Sequence, residues 1–160
     1  VSPENVAVDD VGVGGGVVDR LREQGYNVVA VKEGAKATEM DEYLDEHGEK
    51  KERIAYSNFK AQLYAGKNGL ANWIKRTGQL EPHEGWTELT RIRFKKASNG
   101  ATKLESKEDM RKRGEESPDV ADALMLTFAP VVAVQKEFKP VDPALILRRQ
   151  GGDGIGFGKL

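Results

Sequence analysis

The sequence predicts an α/β fold. Three observations carry that expectation: a β-branched run ending in acids at 5–10, a glycine-rich turn into an amphipathic stretch, and a second β-branched run at 26–31. Strand, helix and strand in that order form a βαβ unit, whose parallel pairing implies a sheet covered on both faces. At 160 residues the chain fits one ordinary domain.

Each element follows from its residues. Asn5-Val6-Ala7-Val8-Asp9-Asp10 is a strand of the buried type. Gly12 to Gly16 turns the chain, and Val17, Val18 and Leu21 then share one helical face up to Gly25. Tyr26 to Val31 is the second strand. From Glu39 to Glu52 seven acids face only Lys50 and Lys51, which reads as a solvated excursion or a loose helix. Ser57 to Arg76 has near-helical apolar spacing and reads as one helix, which Gly66 and Gly69 weaken by about 1 kcal/mol each relative to alanine, enough to allow a break. Trp86 to Ile92 is a short helix or turn. Arg93–Ser98 and Ala101–Glu105 flank Asn99-Gly100, a hairpin signal. Ser106-Lys107-Glu108-Asp109 has capping-box form and opens a short helix ending at Gly114. Ser117-Pro118-Asp119 opens the last helix, with Ser117 as cap and Pro118 at its first position. That helix is apolar nearly all round and should be buried, with Pro130 as its stop. Beyond about Val134 the prolines and glycines suggest an extended or disordered tail.

Composition excludes several function classes. Lysine plus arginine number 25 and aspartate plus glutamate 26, so a net charge of -1 leaves no global positive field for nucleic acid. The absence of cysteine excludes disulfide scaffolds, thiolate zinc sites, iron–sulfur clusters and a cysteine nucleophile. His47 and His83 lack metal-ligand spacing. No phosphate loop ending in Gly-Lys-Ser/Thr occurs. With no apolar run of membrane length and no signal pattern, the expected compartment is the cytoplasm.

Three features carry chemistry. Gly12, Gly14 and Gly16 after a strand, with Glu33 after the next, keep a dinucleotide-binding module open, although Val17 stands where a third fingerprint glycine belongs. Asp9 and Asp10 oppose that reading, because like charges ~4 Å apart repel by about 4 kcal/mol at an effective dielectric near 20. The glycines also suit a plain tight turn. The second feature is Asp9 at a strand end with Asp119 and Asp122, one helical turn apart, elsewhere in the chain. Acids gathered at strand ends suit magnesium or manganese. Two such ions roughly 4 Å apart hydrolyse phosphodiesters. Taken alone, Asp119 equally suits the helix dipole. Asp122 is harder to dismiss, as the one charge within an apolar helix. The third feature is basic: eight cations stand against three acids from Arg93 to Arg113. Lys103, Lys107, Arg111 and Arg113 are candidate phosphate contacts, or else a solvated face.

These residues resemble one family. Val-Ala-Val-Asp-Asp-Val-Gly-Val-Gly-Gly-Gly-Val-Val-Asp-Arg-Leu at 6–21 looks like the second acidic strand and helix of the nuclease domain of phage large terminase subunits. Glu105-Ser106-Lys107-Glu108-Asp109, followed by Ser117-Pro118-Asp119-Val120-Ala121-Asp122-Ala123-Leu124, looks like its closing segment, and 56–64 is similar to its middle helix. The resemblance covers about residues 5 to 130. It implies an RNase H-like (RuvC-type) three-layer fold without its first strands, and two-metal magnesium- or manganese-dependent cleavage of concatemeric viral DNA. On that resemblance Asp9 and Asp119 are metal ligands, Asp122 is a further acid of the site, and Asp10 is extra. Double-stranded DNA, other terminase subunits and the portal are the implied partners. The family's first acidic strand and its ATPase domain have no counterpart here. The resemblance therefore implies a partial nuclease domain at 1–133 with a tail at 134–160. It further implies weak or absent activity alone and an open sheet edge prone to self-association. A catalytically dead docking remnant is the alternative.

Overall fold

The computed structural model describes residues 1–129; the proposed stop at Pro130 and the tail at 134–160 lie outside them. The fold is mixed α/β, as the sequence predicts. Strand β1 (Ala7–Asp9) pairs in parallel with β2 (Val29–Val31), and helix α1 (Val13–Glu23) makes the crossover. Both strands are shorter than expected, and a single 3-10 turn, Pro3–Asn5, precedes β1. Helix α1 starts earlier than expected and takes in Gly14, Gly15 and Gly16. Of its apolar face only Val18 is fully buried.

Register fixes which side chains meet. Ala7 lies opposite Val29, and Asp9 opposite Val31. Alternation puts all four on one face of the pair. That face carries the core: Val31 packs with Leu63, Tyr64, Leu70 and Met125. Burial of side chains of this size contributes about 1.5–3 kcal/mol each.

The acidic segment corrects an expectation. It is neither an irregular excursion nor a helix but an antiparallel hairpin, β3 (Met40–Leu44) with β4 (Lys50–Ile54). Opposite charges across the strands support it, although Glu42 also lies opposite Glu52. Asp41 lies directly opposite Arg53 and bonds it at 3.3 Å, and Glu42 reaches Lys50 at 3.6 Å. Asp45 closes the turn, accepting from the amides of His47 and Glu49 at 2.9 Å each. The strands are mostly exposed, so the segment is solvated as expected.

The stretch at 57–76 is two helices where the spacing predicts one, divided at the glycines that weaken it. Helix α2 (Phe59–Ala65) is capped by the Asn58 side chain, which accepts from the Ala61 amide, and α3 (Leu70–Arg76) follows the break. A 3-10 segment occupies Glu84–Thr90. Strands β5 (Phe94–Lys96) and β6 (Thr102–Leu104) form the expected hairpin. Its turn runs from Ala97 to Ala101, and Gly100 alone takes positive φ, at 80°. Helix α4 (Lys107–Lys112) is capped by Ser106 as its sequence predicts.

The last helix, α5 (Asp119–Leu126), departs from expectation at its start. Pro118 stands before the helix, and the Ser117 hydroxyl donates to Asp119 Oδ1 at 2.6 Å instead of capping the backbone. Glu88 takes over that task, accepting from the Val120 and Ala121 amides at 2.8 and 3.0 Å. A carboxylate at a helix start is favoured by the dipole, which is why a distant acid can replace the local serine. Ala121 and Met125 are fully buried, but Ala123 is exposed, so the helix is covered on one side only.

The tightest approach in the fold involves Gly14. A Cβ there would lie 1.9 Å from the carbonyl oxygen of Asp9, whereas a Cβ at Gly16 would meet nothing within 4 Å. Gly14→Ala must push α1 off β1 and is expected to destabilise by about 1–3 kcal/mol. Gly16→Ala gains helix propensity and is expected to stabilise by up to about 1 kcal/mol. Denaturant midpoints of the two variants should move in opposite directions.

Candidate functional site

Asp9, the last residue of β1, faces the core side of the parallel pair. Its Oδ1 is buried and accepts no hydrogen bond from the described residues. Among the described residues only Arg53 Nε shares that condition. A buried carboxylate oxygen without a donor costs more than the roughly 1–3 kcal/mol of a neutral unsatisfied group. The main chain explains why it stays: Asp9 is held by the ladder to β2 on one side and by the α1 crossing at Gly14 on the other. Its neighbour Asp10 is more conventional, with Lys32 at 3.8 Å.

A second group of charges lies on α2 and α5. Lys60 Nζ donates to Asp122 Oδ2 at 2.7 Å and to Glu33 Oε2 at 3.0 Å. Tyr64 donates to Asp122 Oδ1 at 2.8 Å. Lys107 Nζ approaches Asp122 Oδ2 at 3.6 Å from the surface. The side chains of Lys60, Glu33 and Asp122 are only 17, 18 and 13% exposed. Asp122 is therefore the part-buried acid that its place in an apolar helix suggests, and it has partners on both oxygens. Burial works to lower the Lys60 ammonium, but the hydrogen bonds and charges of Asp122 and Glu33 outweigh it and hold the group above its ordinary value. Burial first, then the charge of Asp122, pushes the Tyr64 hydroxyl far above the usual tyrosine range. Both groups keep their protons near neutrality.

Asp119 is placed differently. It is exposed at the first position of α5, with Ser117 as its partner. Among the described residues no three or more histidines or acids form a ready metal cage. One or two carboxylates completed by water still suffice for magnesium, which keeps several waters. The unpartnered oxygen of Asp9 fits that role. Glu33, the candidate ribose acid of a dinucleotide site, is instead engaged by Lys60.

The four candidate phosphate contacts divide. Lys103 and Arg111 are exposed on β6 and α4 and form no ion pair among the described residues. Lys107 stands beside Asp122. Arg113 serves the fold: it bonds Glu105 at 2.8 Å and Glu115 at 3.1 Å and donates to the Arg91 carbonyl. Lys60, Tyr64 and Glu88 escape the sequence reading. A signal for the first two exists, since Lys60 and Tyr64 are four apart on α2 and so share one helical face.

Compared with the models of known protein families and with curated proteins, the chain matches none. Among the described residues no helix is long and apolar enough to cross a membrane.

Two predictions follow from the Lys60 group. Lys60→Met leaves Glu33 part-buried without its counter-charge and Asp122 with Lys107 alone, and a loss on the order of 3 kcal/mol is expected in urea unfolding. The pH dependence has a definite sign. Both raised groups contribute stability in full below their unfolded values, near pH 10, and lose it as pH climbs through the higher folded values. The wild-type chain should therefore lose more stability between pH 8 and 11 than Tyr64→Phe does.

Proposed function

We propose that the chain is nuclease material of the phage large-terminase type, with an RNase H-like core, which hydrolyses DNA phosphodiesters with magnesium or manganese. One observation carries this reading: a buried, unpartnered carboxylate oxygen on Asp9 at the carboxyl end of a parallel strand. Ligands of α/β folds gather at such ends. A proton or a cation is what such an oxygen lacks. The resemblance in Asp9-Asp10-Val11-Gly12-Val13-Gly14 and in Ser117-Pro118-Asp119-x-x-Asp122 supports the same chemistry.

On this reading Asp9 would hold the ion, and Asp119, exposed at the α5 start and now bonded by Ser117, would supply the second carboxylate that the resemblance implies. A bound divalent ion lowers the pKa of a water and neutralises charge at the leaving oxygen. The remaining work belongs to the chain. Lys103 and Arg111 hold phosphates of double-stranded DNA through charge and set its register without reading sequence. Lys107 places a cation at the rim beside Asp122. Packaging partners such as the portal and other terminase subunits belong to the same proposal.

Supercoiled plasmid incubated with manganese tests it. Weak nicking is expected from the wild-type chain, in keeping with its partial acid set, and is reduced at least about 100-fold by Asp9→Asn, since the ion-dependent stabilisation of the transition state is worth several kcal/mol. Equal nicking by Asp9→Asn, or manganese that leaves Asp9 and Asp119 unperturbed in the wild-type chain, would remove the assignment. For DNA binding, Lys103→Gln and Arg111→Gln should each flatten the log–log salt dependence by roughly 0.9, whereas Arg113→Gln should mainly lower the melting temperature.

A further inference from the structure

Both oxygens of Asp122 are already engaged by protein donors. Oδ2 takes Lys60 at 2.7 Å, with Lys107 at 3.6 Å, and Oδ1 takes Tyr64 at 2.8 Å. The space beside this group is also small. The pocket bordered by Lys60, Tyr64, Lys107 and Asp122 has a volume of ≈ 30 Å³. That is room for about two waters. The ammonium of Lys60 meanwhile sits between two carboxylates, Glu33 and Asp122, in the manner of a bridging cation.

Lys60 reaches this position for local reasons. The Lys60 amide donates to the Glu33 carbonyl at 2.9 Å, and the Phe59 amide to the Ala35 carbonyl at 2.7 Å, so the start of α2 is tied to the chain leaving β2. Helix α2 packs on the same face of the parallel pair that Asp9 occupies, through Leu63 and Tyr64 against Val31. Asp9 thus keeps a vacant oxygen on a face where Asp122 is already satisfied by protein.

We propose that Lys60 is a positioning residue that stands in for a second divalent cation: it fixes Asp122 against Glu33 and leaves the site one exchangeable ion, at Asp9. This rests on the nuclease reading for its purpose, and it replaces the two-ion count with one ion and one ammonium. Removing the ammonium leaves Glu33 without its cation and Asp122 with only Lys107, at 3.6 Å, so the pair regains a net negative charge and takes up a divalent ion in its place.

Manganese titration of the whole chain, read by the paramagnetic resonance of the free ion, tests this apart from activity. The wild-type chain is expected to bind one ion, and Lys60→Arg likewise one. Lys60→Gln is expected to bind one more than wild type, and Lys60→Gln/Glu33→Gln to lose that extra ion. Lys107→Gln should keep the wild-type count; a gain there would move the role to Lys107 and overturn the proposal. Equal counts for wild type and Lys60→Gln, or two ions in wild type, would also overturn it. Should Lys60→Gln unfold, millimolar manganese is expected to restore its cooperative melt, and failure to do so counts against the proposal. The nuclease reading fails separately, if Asp9→Asn binds as many ions as wild type; the difference made by Lys60→Gln is scored independently of that result.

Discussion

One ammonium group joins three parts of this fold. Lys60 reaches from α2 to Glu33, just past β2, and to Asp122 on α5. Its partners are part-buried, so their attraction is not diluted by solvent as surface pairs are. Tyr64, one turn further along α2, holds the other oxygen of Asp122. Met125, on the same helix as Asp122, packs with Val31 and Leu63 in the core. Polar and apolar contacts therefore hold α2 and α5 in one relation to the parallel strands. With that relation set, the carboxyl end of β1 has a defined surrounding.

The contrast between Asp9 and Asp122 is the central chemical feature. Both are acids on the core side of the structure, yet one has all its oxygens engaged and the other keeps one buried and unengaged. The difference lies in backbone freedom. Asp122 sits on a helix facing two long donors that can reach it. Asp9 sits on a three-residue strand, where α1 crosses so closely that residue 14 has no room for a side chain. Polar groups left unsatisfied in this way gather where a ligand completes them. This is the physical case for a cation at Asp9.

Charge elsewhere is largely used to build the fold. The acidic strand β3 is neutralised by the basic strand β4, and Lys95, Lys112 and Arg113 have acids within 4.0 Å. The cationic surface remaining on β6 and α4 is smaller than the sequence count suggests. Phosphate attraction from this surface is short-ranged at physiological salt, where screening acts over about 8 Å.

Short-range signals were legible without coordinates. The βαβ unit, the glycine weak point in the 57–76 stretch, the Asn-Gly hairpin and the Ser106 cap all follow from residues within a few positions of one another. The β3–β4 hairpin was not legible as such, because acid on one strand is offset by base on a strand that only folding brings opposite. The same holds for the α5 start, where Glu88 does what Ser117 promised. The partners of Asp122 could not be read either, since Lys60 and Tyr64 lie about sixty residues away along the chain. By itself, then, the sequence determined the α/β class and which acids are chemically notable, because propensity, turn chemistry and patterning act locally. Only tertiary structure decided which of those acids is neutralised by protein and which keeps an open oxygen, because that depends on donors delivered from distant segments.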